Sequence, residues 1–228
     1  DNVAAAEADD AEFVRRVYLD LAGTIPRASQ AREFVSDDSL DKRASLIDQL
    51  LAPPPFARRM QYVFDTTLME RRPDKHIKDE WREYLRQSFI ENKSWDKLVT
   101  ELLTSDGSVD AERPASKFLL DRELKTDATT RDLARIFLGR DLQCAQCHDH
   151  PNVDDYLQRH YHGLAAFLNR SYLFTDPKTK KVSIGEKAEG VVKFTSVFTS
   201  ESDETAPRML DLPPIQDPEP AKEPYKVK

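Results

Sequence analysis

Apolar residues along the first 140 positions recur at intervals of three and four, the spacing that turns one face of an α-helix toward a core. Phe13, Val14, Val17, Tyr18 and Leu21 form the first stripe, and Gly23 stands where that helix would end. Leu40, Ala44, Ile47, Leu50 and Leu51 form a second, which Pro53, Pro54 and Pro55 stop. A helix from Phe56 carries Met60, Val63, Phe64 and Leu68, and the next carries Trp81, Tyr84, Leu85 and Phe89. Ser94 suits the cap of a helix with Leu98, Val99, Leu102 and Leu103, ended by Gly107. Asp127 or Thr129 suits the cap of another with Leu133, Ile136 and Phe137, closed by Gly139.

Beyond residue 150 the period changes. Pro151 to Asp155 predicts a turn, and Tyr156, Tyr161, Leu164, Ala165 and Phe167 predict a further helix. From Val182 to Phe198, β-branched and aromatic residues around Gly185 and Gly190 predict a small β-hairpin. Residues 211–228 are proline-rich and charged with little apolar content, the composition of a disordered linker or tail. The expected fold class is therefore mainly α, a helical domain over residues 11–210 with a small C-terminal β-hairpin element, preceded by a flexible N-terminus over 1–10.

A net charge of −7 with 33% charged residues argues against a nucleic-acid partner, which would need a basic face. No apolar run approaches the ~20 residues of a transmembrane helix. Residues 1–10, small and acidic, do not form an export signal and look like the start of a mature chain.

Both cysteines of the chain fall in one run, Cys144-Ala145-Gln146-Cys147-His148. CxxCH is the attachment signature of a c-type haem, in which two thiols on one turn form thioethers and the following histidine lies under the iron. The expected cofactor is one covalent haem c per chain, held by Cys144 and Cys147 with His148 as proximal ligand. Three alternatives use the same residues. A redox dithiol would want a strand and a βαβ unit around the motif, whereas a helix precedes it. A zinc site would need further ligands, for which His150, His160 and His162 are the nearby residues. A plain disulfide is the third.

The ligand on the far side of the iron decides what such a haem does. His150 lies two residues from His148, a reach of at most ~7 Å, while trans histidine ligands need Cα atoms roughly 12 Å apart. His150 is therefore expected in the second shell, orienting a propionate or lining the pocket mouth. His76, in the interhelical loop RRPDKHIK, is the first distal candidate, followed by Met69, His160 and His162. An open sixth position would make the haem a ligand-binding or peroxide-handling centre. No nucleophile arrangement, paired catalytic carboxylates or phosphate-cradling glycine loop appears, so no catalytic residue is assigned.

The runs FVRRVYLDLAGTIP at 13–26, ARRMQYVFDTTLMERR at 57–72, FLGRDLQCAQCHDHP at 137–151 and HGLAAFLNRSYLF at 162–174 resemble the planctomycete cytochrome c family. The similarity covers roughly residues 11–209, and GEKAEGVVKFTSVF at 185–198 fits the end of the same domain. The resemblance implies an exported, periplasmic or secreted protein, usually the N-terminal part of a larger one, with 211–228 leading to a downstream domain. His162 departs from the pattern, in which its place usually holds an aromatic residue such as tyrosine. The family has no firmly assigned reaction, and the function expected from the haem motif is electron transfer with a redox partner protein or the downstream domain. Two alternatives stand beside it: a five-coordinate haem with peroxidase-like or gas-binding activity, and a structural or carbohydrate-associated module with an incidental metal.

Overall fold

The computed structural model describes residues 6–217, which hold nine α-helices and two antiparallel strand pairs, the expected 182–198 stretch supplying one strand to each pair. The chain divides into two compact units. One comprises the residues up to Arg72 with Ile77–Leu98; the other comprises Pro73–His76 and the chain from Val99 onward.

The first unit holds α1 (Asp10–Leu21), α2 (Ala28–Ser36), α3 (Lys42–Leu51), α4 (Pro55–Met69) and α5 (Asp79–Ile90). The Asp9 carboxylate caps α1 by accepting the Glu12 N–H at 2.8 Å. Val14, Phe34, Leu46 and Leu50 bury together, and Phe13 stacks on Phe34 with ring centroids 5.7 Å apart. α2 was not expected from the pattern, because Phe34 is the one buried side chain in its nine residues. The second stripe also shifts: Leu40 is fully exposed ahead of α3, and Leu46, absent from the expected stripe, takes the buried place. α4 and α5 bury Leu68, Met69, Trp81 and Leu85, and the Trp81 indole donates to the Asp65 carboxylate at 2.8 Å.

α6 (Trp95–Thr104) contains the division between the units. The second unit then holds a 3-10 turn (Arg113–Ser116), α7 (Lys117–Leu120), α8 (Thr126–Leu138), a 3-10 turn (Cys144–Gln146) and α9 (Gln158–Arg170). Asp127 and Thr129 lie inside α8, whose cap position is Lys125.

Two hairpins follow, not one. β1 (Ser171–Thr175) pairs with β2 (Val182–Glu186), and β3 (Val192–Thr195) pairs with β4 (Ser202–Thr205). Glycine misleads here. Gly185 marks no turn; it lies within β2 opposite Tyr172, and a Cβ there would meet the Tyr172 ring at 2.5 Å. The turns are made instead by Asp176 and Ser196. Asp176 accepts the amides of Lys178 and Thr179, Ser196 Oγ accepts those of Phe198 and Thr199, and each loop has one left-handed residue, Lys180 and Ser200, both with φ 60°.

The first residues of the segment expected as a tail make contacts. Asp217 forms a paired ion contact with the buried Arg170 at 2.6 and 2.9 Å, and Asp211 accepts from His160 at 2.8 Å. Residues 218–228 lie outside the described residues, as do 1–5 of the expected flexible N-terminus. Among the described residues, no helix is long and apolar enough to cross a membrane.

Candidate functional site

The approach to the CxxCH motif is set by a helix end. Gly139 closes α8 in the left-handed conformation at φ 63°, and the Arg140 N–H donates to the Ala134 carbonyl at 3.0 Å. Leu142 and Ala145 then bury completely, in one cluster with Ala134, Tyr161, Leu164 and Ala165. These two anchors stand on either side of Cys144, and the polar members of the motif are left toward solvent. Cys144 and Cys147 are exposed free thiols. The Cys144 carbonyl accepts the N–H of Cys147 at 3.2 Å and of His148 at 3.4 Å, so a single turn carries both thiols and the imidazole.

The His148 ring is held at its edge and meets a tilted aromatic neighbour. Nδ1 lies 2.7 Å from the Asp149 carbonyl, and the ring centroid is 4.4 Å from that of Phe198. An N–H on Nδ1 directed at a carbonyl leaves the lone pair on Nε2, the arrangement in which a histidine ligates a metal. Among the described residues, Nε2 has no hydrogen-bond partner.

The loop from the motif to α9 is tied at both ends. The Asp149 carboxylate accepts the Gln158 N–H at 2.6 Å where α9 begins, and the His150 N–H donates to the Tyr156 carbonyl at 2.8 Å. His150 Nδ1 accepts the Asn152 N–H at 3.1 Å, and its ring stands edge-on to Tyr156 at 5.8 Å. His150 therefore shapes this loop.

From α9, His162 Nε2 lies 3.1 Å from the Gln146 carbonyl, and its ring lies parallel to Phe194 at 4.3 Å. Burial pushes the His162 pKa below the ordinary histidine value, against smaller opposing effects of the Gln146 bond and Asp127. His160 is buried with both ring nitrogens engaged, Nδ1 with the Asp155 carbonyl at 2.9 Å and Nε2 with Asp211 at 2.8 Å. Its bond to Asp211 holds that carboxyl below the usual range. Burial, then the bond to Asp127 at 3.0 Å, raises the Tyr161 hydroxyl well above its ordinary pKa.

The other distal candidates lie elsewhere. His76 belongs to the second unit, where its N–H donates to the Asp121 carboxylate at 2.9 Å. The buried Lys117 pairs with the same Asp121 and, at 2.9 Å, with Asp74. Among the described residues, no hydrogen bond or ring contact joins His76 to the motif. Met69 is a buried residue of the first unit.

The structure thus gathers Cys144, Cys147, His148, His162, Phe194 and Phe198, of which the sequence pattern flagged the first four. Phe194 and Phe198 were legible only as β-formers, since nothing in their spacing points at the motif. Among the described residues, no three His, Cys, Asp or Glu side chains converge as a protein-only metal site requires. A porphyrin supplies four nitrogens of its own, so two thiols and one imidazole on a single turn are a donor set that fits covalent haem attachment.

A family model described as PSCyt2, a protein of unknown function (DUF1549), matches residues 2–172 of the 228. The chain belongs to this family. No curated protein and no solved structure matches the chain. The PSCyt2 match takes in the motif and all of α9 but stops within β1, so Phe194, Val197 and Phe198 lie outside it.

Proposed function

We propose that this PSCyt2 chain carries one haem c for electron transfer in an exported protein. Cys144 and Cys147 hold it as thioethers, each adding its S–H across a vinyl C=C with sulfur to one carbon and hydrogen to the other. His148 supplies the proximal ligand through Nε2. The observation that carries the reading is the pairing of two exposed free thiols on one turn with a histidine whose Nδ1 faces a carbonyl. The exposed side chain of Val197, whose N–H donates to the Cys147 carbonyl of that turn, gives an apolar surface suited to a porphyrin edge. The family's printed name also fits a cytochrome. Bound haem supplies a one-electron Fe(III)/Fe(II) couple; the chain's residues fix, orient and partly shield it. A redox partner protein or a downstream domain of the same chain exchanges the electron.

His76 is the candidate for the opposite face. His160 spends both ring nitrogens, on Asp155 and Asp211, and His162 spends Nε2 on Gln146, whereas the His76 ring makes no hydrogen bond among the described residues and has no contact with the motif to break. Protein from a host that matures haem c should give a low-spin visible spectrum that carbon monoxide leaves unchanged. His76→Ala should convert it to a high-spin, carbon-monoxide-binding form, while His150→Ala should not. A parent that is already high-spin and binds carbon monoxide at once would replace electron transfer with ligand binding or peroxide handling at an open haem.

A further inference from the structure

We infer that the loop of the second hairpin, residues 196–201, is a positioning element for the motif, with Phe198 fixing the orientation of the His148 ring. The inference rests on the proposed role of His148 as iron ligand. Several independent contacts join the hairpin to the motif region. The Val197 N–H donates to the Cys147 carbonyl at 3.1 Å, and the Phe198 ring meets the His148 ring at 4.4 Å. Phe194 stacks on His162, which in turn engages the Gln146 carbonyl. The buried Gln158 reaches from α9 to the Thr195 carbonyl at 3.2 Å. Both inner carbonyls of the motif's second half, those of Gln146 and Cys147, are therefore held by the hairpin directly or through His162.

Phe198 is 74% exposed, and its ring contact among the described residues is with His148. An aromatic side chain so placed contributes little to a core, so its tilted packing against an imidazole, at an interplanar angle of 38°, is the feature that needs explaining. The loop does not depend on that ring for its shape. Ser196 Oγ accepts the Phe198 and Thr199 amides, Ser196 N–H donates to Glu201 at 2.9 Å, and Ser200 makes the left-handed turn. The Asp149 carbonyl restrains the imidazole at one edge; Phe198 restrains rotation about the remaining torsion. Ligand basicity and iron–imidazole geometry follow from that orientation. All of these hairpin residues lie beyond the segment that defines the family match.

The test uses the full chain, with and without haem. In the haem-free chain, nuclear magnetic resonance should show contacts between the Phe198 and His148 rings, and Phe198→Ala should shift the His148 ring signals while the unfolding midpoint stays at that of the parent. In the haem-loaded chain, Phe198→Ala should keep the covalent haem but shift its reduction midpoint, and Phe198→Tyr should restore both the ring signals and the midpoint. His148 signals identical in the parent and Phe198→Ala would overturn the inference, as would a Tyr variant that behaves like Ala. Ring signals that move in a chain that never acquires covalent haem would sustain the contact and overturn the haem role beneath it.

Discussion

Ala145 is the smallest side chain of the motif and is completely buried, which makes it the pin on which the exposed cysteines turn. Ala145→Leu should cost about 1–3 kcal/mol through overpacking, and Leu142→Ala about 2–5 kcal/mol through a cavity; both are read from denaturant unfolding. Equal stability of parent and variants would show that the motif turn is not anchored by this cluster. His162 gives the same region a pH dependence. Its folded pKa lies below its ordinary 6.5, so between the two values the unfolded chain binds a proton that the folded chain does not. Its contribution is thus complete above about pH 6.5 and falls away as pH drops toward the folded value, so His162→Phe should narrow the loss of melting temperature between about pH 7.5 and about pH 5.5. A loss as large in the variant as in the parent would assign it to other groups. At this scale the CxxCH residues were legible because their chemistry is tied to a fixed spacing. Leu142 and Ala145 were not singled out, because isolated apolar residues around a loop show no period.

Helices were legible where two or more turns repeat an apolar face, as in α1, α4, α5 and α9. α2 escaped because nine residues with one buried side chain give no stripe. Of the four strands, only β2 and β3 fall in the 182–198 stretch read as a hairpin, and they pair outward with β1 and β4: both hairpins turn on side-chain-capped loops at Asp176 and Ser196, while the glycine taken as a turn signal makes room for Tyr172 inside a strand. Composition likewise hid the packing of residues 211–217, since Asp217 looks like tail sequence but meets the guanidinium of Arg170, a residue only 5% exposed. Arg170 keeps the Gly190 carbonyl as a second partner at 2.8 Å. Asp217→Ala should therefore destabilise the chain by about 1–3 kcal/mol, the cost of leaving a buried donor unpaired. A thermal midpoint unchanged from the parent would show that Arg170 does not need this carboxylate.

Across the whole molecule, the division into two units assigns the candidate chemistry to one of them. The motif, His76 and both hairpins belong to the second unit, and Met69 to the first. PSCyt2 membership covers both units in part and stops at residue 172, while the aromatic contacts of His148 and His162 come from residues 194 and 198. The proposed function needs all of this to serve one covalent bond-forming site at Cys144 and Cys147. The intact mass of the purified full chain, produced in a host that matures haem c and measured after denaturation, tests that need most directly. The account predicts the polypeptide mass plus one haem, reduced to the bare polypeptide in the Cys144→Ala, Cys147→Ala double variant; a parent chain at the bare polypeptide mass would contradict it.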